Sequence, residues 1–448
     1  MARNLLLILF LFTSASYAQY SIKGSFDSDQ DFSWILLYKL ENGSQTYMYN
    51  ADVIEGAFEF KIPEKEPSGI FRAYYQIENN LYVEFIYNRE EIVFSFDPND
   101  PEASIRFSQS EENNLTREYY NQIRKTQGSI DSLQALFFDP GTNKQDQKML
   151  KSYQQHLSDL EALQSAYEEK SKGKLANHFI RASKQFNPEV PYKNTAAYIS
   201  GIKKHFFDAI DLHDTVLVHS AFIHNRLNDY VFYLNQADDM ETMNAMHRES
   251  ISNAVNWIGE ELDILTAFET ALIETYLMEE NAAMLNYVMD QHYRSLPTEL
   301  QDEELIQRVS ASLKTAVGTR APDFEWVQDG EKKHLYEIKG TDYYVVLFFS
   351  SNCPHCQVEI PEFYTFIKGI ENIKVIAVGL ETSKESWDTM TREYKEFINI
   401  LDLDKWSSEK AKNYGVNAIP SYFVLDADKT ILAKPTDFKE LKSMFETR

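Results

Sequence analysis

Between residues 20 and 108 apolar and polar positions alternate in short runs. "SWILLYKL" (33–40) is a strand-like stretch followed by the turn pair Asn42-Gly43. In "GAFEFKI" (56–62), Phe58 and Phe60 alternate with charged neighbours. "LYVEFIY" (81–87) puts Leu81, Val83, Phe85 and Tyr87 on one face. Phe94 and Phe96 alternate again before Asp97-Pro98-Asn99-Asp100 ends the run. Short strands divided by turns predict a small antiparallel β-sandwich over 19–110.

From 111 to 316 the period becomes helical. Leu115, Tyr119 and Ile123 step by four, Ile130, Leu133 and Leu136 by three, and Pro140-Gly141 breaks the pattern. Leu150, Tyr153, Leu157, Leu160, Leu163 and Tyr167 resume it, which predicts a helical hairpin. Helical stretches follow at 242–257 and 260–286, with no repeat period that would make a solenoid. His205, His213, His219 and His224 are spaced 8, 6 and 5 apart. None of these spacings is the i, i+4 pairing of a helical metal site, so they read as structural.

From 317 to 448 strands and helices alternate. "YYVVLFF" (343–349) is apolar throughout, as a strand covered on both faces would be. Then come a helix after the cysteines, a strand at 374–380, a helix at 383–397 and a strand at 397–401. A short helix at 409–414 ends on Gly415, a hairpin spans 421–434, and a helix closes at 438–445. The order β-α-β-α-β-β-α predicts an α/β domain with a central sheet between helices.

The N-terminus changes the setting. Arg3, the apolar run 5–12 and Ser16-Tyr17-Ala18 have the form of a cleaved export signal over 1–18, with the mature chain starting at Gln19. The run is too short to span a bilayer, and no Cys follows it to carry a lipid. A soluble, periplasmic protein without a lipid anchor is the expectation. The net charge of −25 argues against a nucleic-acid partner. Gly (15) and Pro (13) are scarce, in keeping with long helices.

The chain has two cysteines, Cys353 and Cys356. Export permits disulfides, but a bridge closing a two-residue loop constrains almost nothing in the unfolded chain. A reagent is the better reading. A strand ends near Phe349 and a helix starts at the cysteines, so Pro354 falls in the first turn, where its missing N–H is harmless. Free N–H groups and the positive end of the helix dipole then favour thiolate at Cys353, and His355 adds charge if protonated. Cys356, one turn on, is placed to resolve a mixed disulfide. No cofactor beyond a redox-active Cys353–Cys356 disulfide is called for.

The stretch 319–448 resembles the TlpA/ResA-like thioredoxins, exported bacterial thiol–disulfide oxidoreductases. The likeness is carried by "GTRAPDF" (318–324), by "CPHC" with "QVEIP" after it, and by "YGVNAIPSYFVLDADKTIL" (414–432). It implies a thioredoxin fold, a cis Ile419–Pro420 peptide beside the cysteines, and catalytic roles for Cys353, Cys356, His355 and Pro420. It also implies a tuning role for Glu359. Thioredoxins proper carry a buried Asp where this chain has Leu347, which leaves Glu359 as the nearest carboxylate. Asn352, Pro354 and Ile419 would face the substrate. The family usually has Trp at the place of Asn352, so the surface beside Cys353 departs from the pattern. Pro-His is also the dipeptide of the strongly oxidising enzyme DsbA, whereas Ile before the proline suits reductants, so the direction stays open. Implied partners are proteins bearing thiols or disulfides and an electron donor or acceptor. For residues 19–316 the alternatives are a partner-binding module, a homodimer interface or a spacer.

Two rival readings use the same cysteines. A thiol peroxidase of related fold would accept Ser350 three residues before Cys353, but the Pro expected upstream is Val346. A soft-metal chaperone could use Cys353, Cys356 and His355, but no second Cys pair completes a zinc site.

Overall fold

The computed structural model describes residues 19–28, 32–41 and 44–446. The predicted export signal and the Asn42-Gly43 turn lie outside them. The chain divides into two compact units at Phe268/Glu269.

The first unit begins with β1 (Gln19–Phe26), β2 (Trp34–Glu41), β3 (Ser44–Asp52), β4 (Ala57–Pro63), β5 (Gly69–Gln76), β6 (Leu81–Tyr87), β7 (Ile92–Phe96), α1 (Pro101–Ser104) and β8 (Arg106–Gln109). They form two four-stranded sheets, β4-β1-β7-β8 and β3-β2-β5-β6. The two-residue period turns Phe58, Phe60 and Ile62 inward. They share one hydrophobic cluster with Ile35, Leu37, Phe71 and Phe85 of the other sheet. The arrangement is not wholly antiparallel as expected. β1 and β7 run parallel, with Ile22 opposite Ile92, because β1 is paired by a strand far along the chain and not by a hairpin neighbour. Edge strand β6 is closed by a side chain: Asn113 Oδ1 accepts the Ile86 N–H at 2.8 Å and its Nδ2 donates to the Ile86 carbonyl at 2.7 Å.

The predicted helical hairpin is α2 (Glu111–Phe138) and α3 (Gln147–Lys170). Leu115, Tyr119, Ile130, Tyr153 and Tyr167 are buried along it, but Leu136 is 48% exposed. Stepping by three rotates off a 3.6-residue face, so the buried stripe continues from Ile130 through Gln134 to Phe137. Buried glutamines are satisfied within it, as where the Tyr119 hydroxyl donates to Gln164 Oε1 at 2.8 Å. The unit continues through α4 (Ala176–Ala182), α5 (Thr195–Lys204), α6 (Thr215–Val218), α7 (Phe222–Asn228), a π-turn (Asp229–Tyr233) and α8 (Met240–Ile258). The four histidines do not converge. His205 pairs with Asp208 at 2.7 Å, and exposed His213 lies 3.5 Å from Glu261.

The predicted helix 260–286 is two helices, α9 (Leu262–Met278) and α10 (Ala282–Gln291). The break falls where Glu280 has φ +53 and the Asn281 side chain caps the next helix. The second unit begins within α9. It contains α10, α11 (Glu303–Lys314), β9 (Glu325–Gln328), β10 (Glu331–His334), β11 (Tyr343–Phe349), α12 (Pro354–Ile367), β12 (Ile373–Leu380), α13 (Lys384–Thr391), β13 (Ile398–Asp402), α14 (Glu409–Asn413), β14 (Ser421–Leu425), β15 (Ile431–Ala433) and α15 (Phe438–Glu446). The five-stranded sheet has the order β13-β12-β11-β14-β15. β11 runs parallel to β12 and antiparallel to β14.

The unbroken apolar run of β11 is explained by the pleat. Tyr344, Val346 and Phe348 enter one hydrophobic cluster, and Val345, Leu347 and Phe349 enter the cluster on the other face. Ile360 and Phe363 of α12 and Leu441 of α15 pack into the second cluster. Ala411 of α14 packs into the first. The predicted helix 383–397 stops at Thr391, because Tyr394 and Phe397 turn into the core. The Lys434 ammonium reaches the Glu280 carboxylate at 2.6 Å, and Arg308 grips Glu274 with two bonds of 2.6 and 2.7 Å. Among the described residues no helix is long and apolar enough to cross a membrane. The chain therefore joins N-terminal β sheets and a helical middle to a C-terminal thioredoxin-like α/β domain.

Candidate active site

The cysteines sit where central strand β11 hands over to α12. Cys353 is the N-cap, and its Sγ accepts the Cys356 N–H at 3.4 Å. A sulfur atom thus takes one of the orphan donors of the helix start. Pro354 occupies the first helical turn, as expected. The Cys353 N–H donates to the Ser350 carbonyl at 3.1 Å, which fixes the loop. Both cysteines are free thiols, Cys353 partly exposed and Cys356 buried.

The burial separates their chemistry. Cys356 has no exposed surface. Burial pushes its thiol far above the ordinary range, while the Ser350 N–H works in the opposite sense and Cys353 and Glu359 add to the rise. Cys353 Sγ lies 3.6 Å from the Ile419 carbonyl, and the Ile419–Pro420 peptide is cis. The structure therefore brings together Cys353, Cys356, Ile419 and Pro420.

Glu359, one turn past Cys356, is half-buried and faces the same core. Its Oε1 accepts the Tyr422 hydroxyl at 2.8 Å and the Phe438 N–H at 2.7 Å. It ties α12 to β14 and supplies an anion to the start of α15. The Tyr422 phenol is pushed far up, first by burial and then by Glu359. Pro354 and His355 are exposed. With Val358, Glu359 and Glu362 they line one side of an open cavity of about 490 Å³, and Asp437, Phe438 and Lys439 line the other. Asn352 is exposed on the opposite flank, its Nδ2 3.5 Å from Ser386 Oγ.

Sequence reasoning missed Glu381. It directly follows β12 and has no exposed surface. Its carboxylate accepts bonds from the Ser350 hydroxyl (3.2 Å), the Ser351 hydroxyl (3.0 Å) and the Ser351 N–H. The available signal was a glutamate set directly after a strand that is apolar from Val375 to Leu380. A larger cleft, about 1520 Å³, lies in the first unit among Lys203, Phe207, Tyr230 and Trp257 and contains no cysteine. Among the described residues no group of three or more His, Cys, Asp or Glu side chains is arranged to hold a metal ion.

A search of curated proteins finds no match. Among solved structures the chain is similar to the thioredoxin domain of a thiol-disulfide oxidoreductase from Bacteroides vulgatus, at 22% identity over 30% of this chain and 96% of that one, with a TM-score of 0.27. It is also similar to a thiol-disulfide oxidoreductase from Bacteroides fragilis (23% identity, 29% and 98% covered, TM-score 0.26). A thioredoxin-like protein from Bacteroides caccae is similar over 59% of this chain and 99% of its own, at 20% identity and a TM-score of 0.40. Residues 317–434, from just after α11 to just after β15, match the model of the AhpC/TSA family.

Proposed function

We propose that the protein is an exported thiol–disulfide oxidoreductase of the TlpA/ResA-like kind, which exchanges disulfides with other proteins through Cys353 and Cys356. The observation that carries this reading is the asymmetry of the pair: a partly exposed sulfur at a helix N-cap and a buried one a single turn deeper. In the reductive direction the Cys353 thiolate attacks a substrate disulfide, forming a mixed disulfide and releasing one substrate thiolate. Cys356 then loses its proton and attacks the Cys353 sulfur. The Cys353–Cys356 bond forms, the second substrate thiolate leaves, and two electrons have passed to the substrate. The oxidative direction is the reverse. The dithiol itself is the redox group, with no other cofactor required. The net charge of −25 and the export-signal pattern of residues 1–18 support a soluble periplasmic protein whose partners are thiol-bearing proteins and an electron donor or acceptor. Residues 19–110 and 111–316 are proposed as modules that bind such a partner or a second copy of the chain.

The testing experiment equilibrates the mature chain in glutathione buffers and traps free thiols. A potential near −120 mV, about that of DsbA, identifies a disulfide donor, and one near −270 mV, about that of thioredoxin, a reductant. If no reversible disulfide forms, the reading fails.

A second reading, thiol peroxidase, is favoured by the match to the AhpC/TSA model. There the Cys353 thiolate attacks a peroxide oxygen, giving a sulfenic acid and an alkoxide or hydroxide. Condensation with Cys356 then releases water and forms the disulfide. Against it, Ser350 turns its hydroxyl to Glu381. Peroxide consumption by the reduced chain, with turnover on added reductant, decides for this alternative.

A further inference from the structure

We propose that Glu381 is a positioning residue of the dithiol. Its buried carboxylate holds the loop that presents Cys353, and its charge restrains thiolate formation there.

The geometry is a short chain of contacts. Ser350 and Ser351 carry the backbone from β11 to the cysteine loop, and Glu381 binds both from the end of the neighbouring strand. Those serines in turn hold the start of α12: the Ser350 carbonyl takes the Cys353 N–H at 3.1 Å, and the Ser351 carbonyl takes the Gln357 side-chain amide at 2.7 Å. The Ser350 N–H faces the Cys356 sulfur. Glu381 is itself pinned in the sheet, its N–H donating to the Asp402 carbonyl at 2.8 Å. One residue thus separates the carboxylate from each sulfur.

The three partners of Glu381, two serine hydroxyls and one N–H, can all donate to the carboxylate. Those three partners are neutral serine groups, so its charge is spread over hydrogen bonds and not cancelled by them. A buried charge of this kind acts on its neighbours with little screening from water. A second negative charge forming on Cys353 is disfavoured by it. The other titratable groups at the dithiol are Cys356, His355 and Glu359 on α12 and Tyr422 on β14, whose hydroxyl bonds Glu359. Beyond Glu381, Asp402 is matched by the Lys410 ammonium at 2.9 Å.

The inference rests on the oxidoreductase reading for its meaning, but its test does not need disulfide turnover. Iodoacetamide alkylates Cys353 when the thiolate displaces iodide, forming a C–S bond. The rate is followed against pH for the native chain, Glu381→Gln and Ser351→Ala. The Gln variant keeps an acceptor for the Ser351 N–H and loses only the charge. Its profile is expected about one pH unit lower, a tenfold rise in thiolate fraction. Because nucleophilicity falls with the thiol's pKa, the rate at pH 7 then rises about threefold. Ser351→Ala keeps the charge, and its profile is expected to stay in place. A Glu381→Gln profile that superimposes on the native one overturns the proposal. If that variant does not fold, the native chain decides. With glutamate labelled by ¹³C, the Glu381 carboxylate resonance is expected to follow the Cys353 titration, since coupling is reciprocal. A resonance indifferent to it overturns the proposal. Failure of the chain to form a reversible disulfide removes the oxidoreductase reading and leaves this comparison intact.

Discussion

Replacing Glu359 tests how the active-site helix is tied to the rest of its domain. Glu359→Ala removes the acceptor of two short, charge-assisted bonds, from the Tyr422 hydroxyl and the Phe438 N–H. A hydrogen bond to a charged group contributes about 1.5–3 kcal/mol. Glu359 is half-buried, so water replaces part of each bond and the lower figure applies, about 3 kcal/mol for the pair. Glu359→Gln keeps an oxygen in place and loses the charge, a cost of about 1 kcal/mol. In a unit the size of residues 269–448, each kcal/mol lowers the melting temperature by about 2–4 °C, so the Ala variant should lose about 6–12 °C. Calorimetry of the full chain, following the transition that shifts, reads this directly. A double-mutant cycle with Tyr422→Phe isolates the shared bond and should give a coupling of about 1.5 kcal/mol. Additive effects, or a Gln variant no more stable than Ala, would refute the assignment of Glu359 as the tie. Burial is the main cause of the raised Cys356 thiol and the Glu359 charge a small one, so Glu359→Gln should lower that thiol only slightly.

Cys356→Ser should accumulate a mixed disulfide with a thiol-bearing substrate, visible by mass spectrometry, whereas Cys353→Ser should form none because the remaining sulfur is buried. Burial pushes the Asp402 carboxyl up, but the Lys410 ammonium and the Ser408 hydroxyl outweigh it, and the group is lowered from its ordinary 3.8. A lowered carboxyl binds its proton less readily when folded, so its contribution is full above about pH 4 and is lost as pH falls below that through the folded value. Asp402→Asn should flatten this acid limb in urea unfolding measured at pH 2 to 6. Gly379→Ala would put a Cβ 2.5 Å from the Trp387 ring, and urea unfolding should show a loss of about 1–3 kcal/mol.

The α/β domain was the most legible part of the sequence, because its signals are local and strong. A seven-residue run of aromatic and aliphatic residues, rich in β-formers and bounded by polar segments, reads as a strand covered on both faces, and β11 is that strand. The cysteine loop was equally readable, since a proline between the cysteines fixes where the helix starts. In the β region the strands with clean alternation, β4 and β6, were found. β1 and β3 were not. β1 is placed by its parallel partner β7, and β3 lies largely exposed at a sheet edge, so neither pairing leaves a pattern in its own segment. Leu136 was misplaced because steps of three and four look alike over one turn and diverge over two. Glu381 escaped because its role depends on two strands lying side by side, which the linear order does not show.

The positions of the carboxylates also explain why Leu347 can be apolar. On the proposed reading, Cys356 must lose a proton inside a hydrophobic cluster before it can resolve a mixed disulfide. Leu347 sits in that cluster and can accept nothing. Glu359 can, and its two described bonds both fall on Oε1, which leaves Oε2 as the basic atom. The Tyr422 hydroxyl and the Phe438 N–H fix the orientation of that carboxylate. The arrangement therefore separates two tasks that one buried aspartate would have to combine. On the proposed reading Glu359 would take the proton of the resolving thiol, and Glu381 would restrain the attacking one. Tyr422→Phe should then slow resolution at neutral pH while leaving Cys353 alkylation unchanged, and a parallel fall in both rates would mean that the two carboxylates do not divide the work.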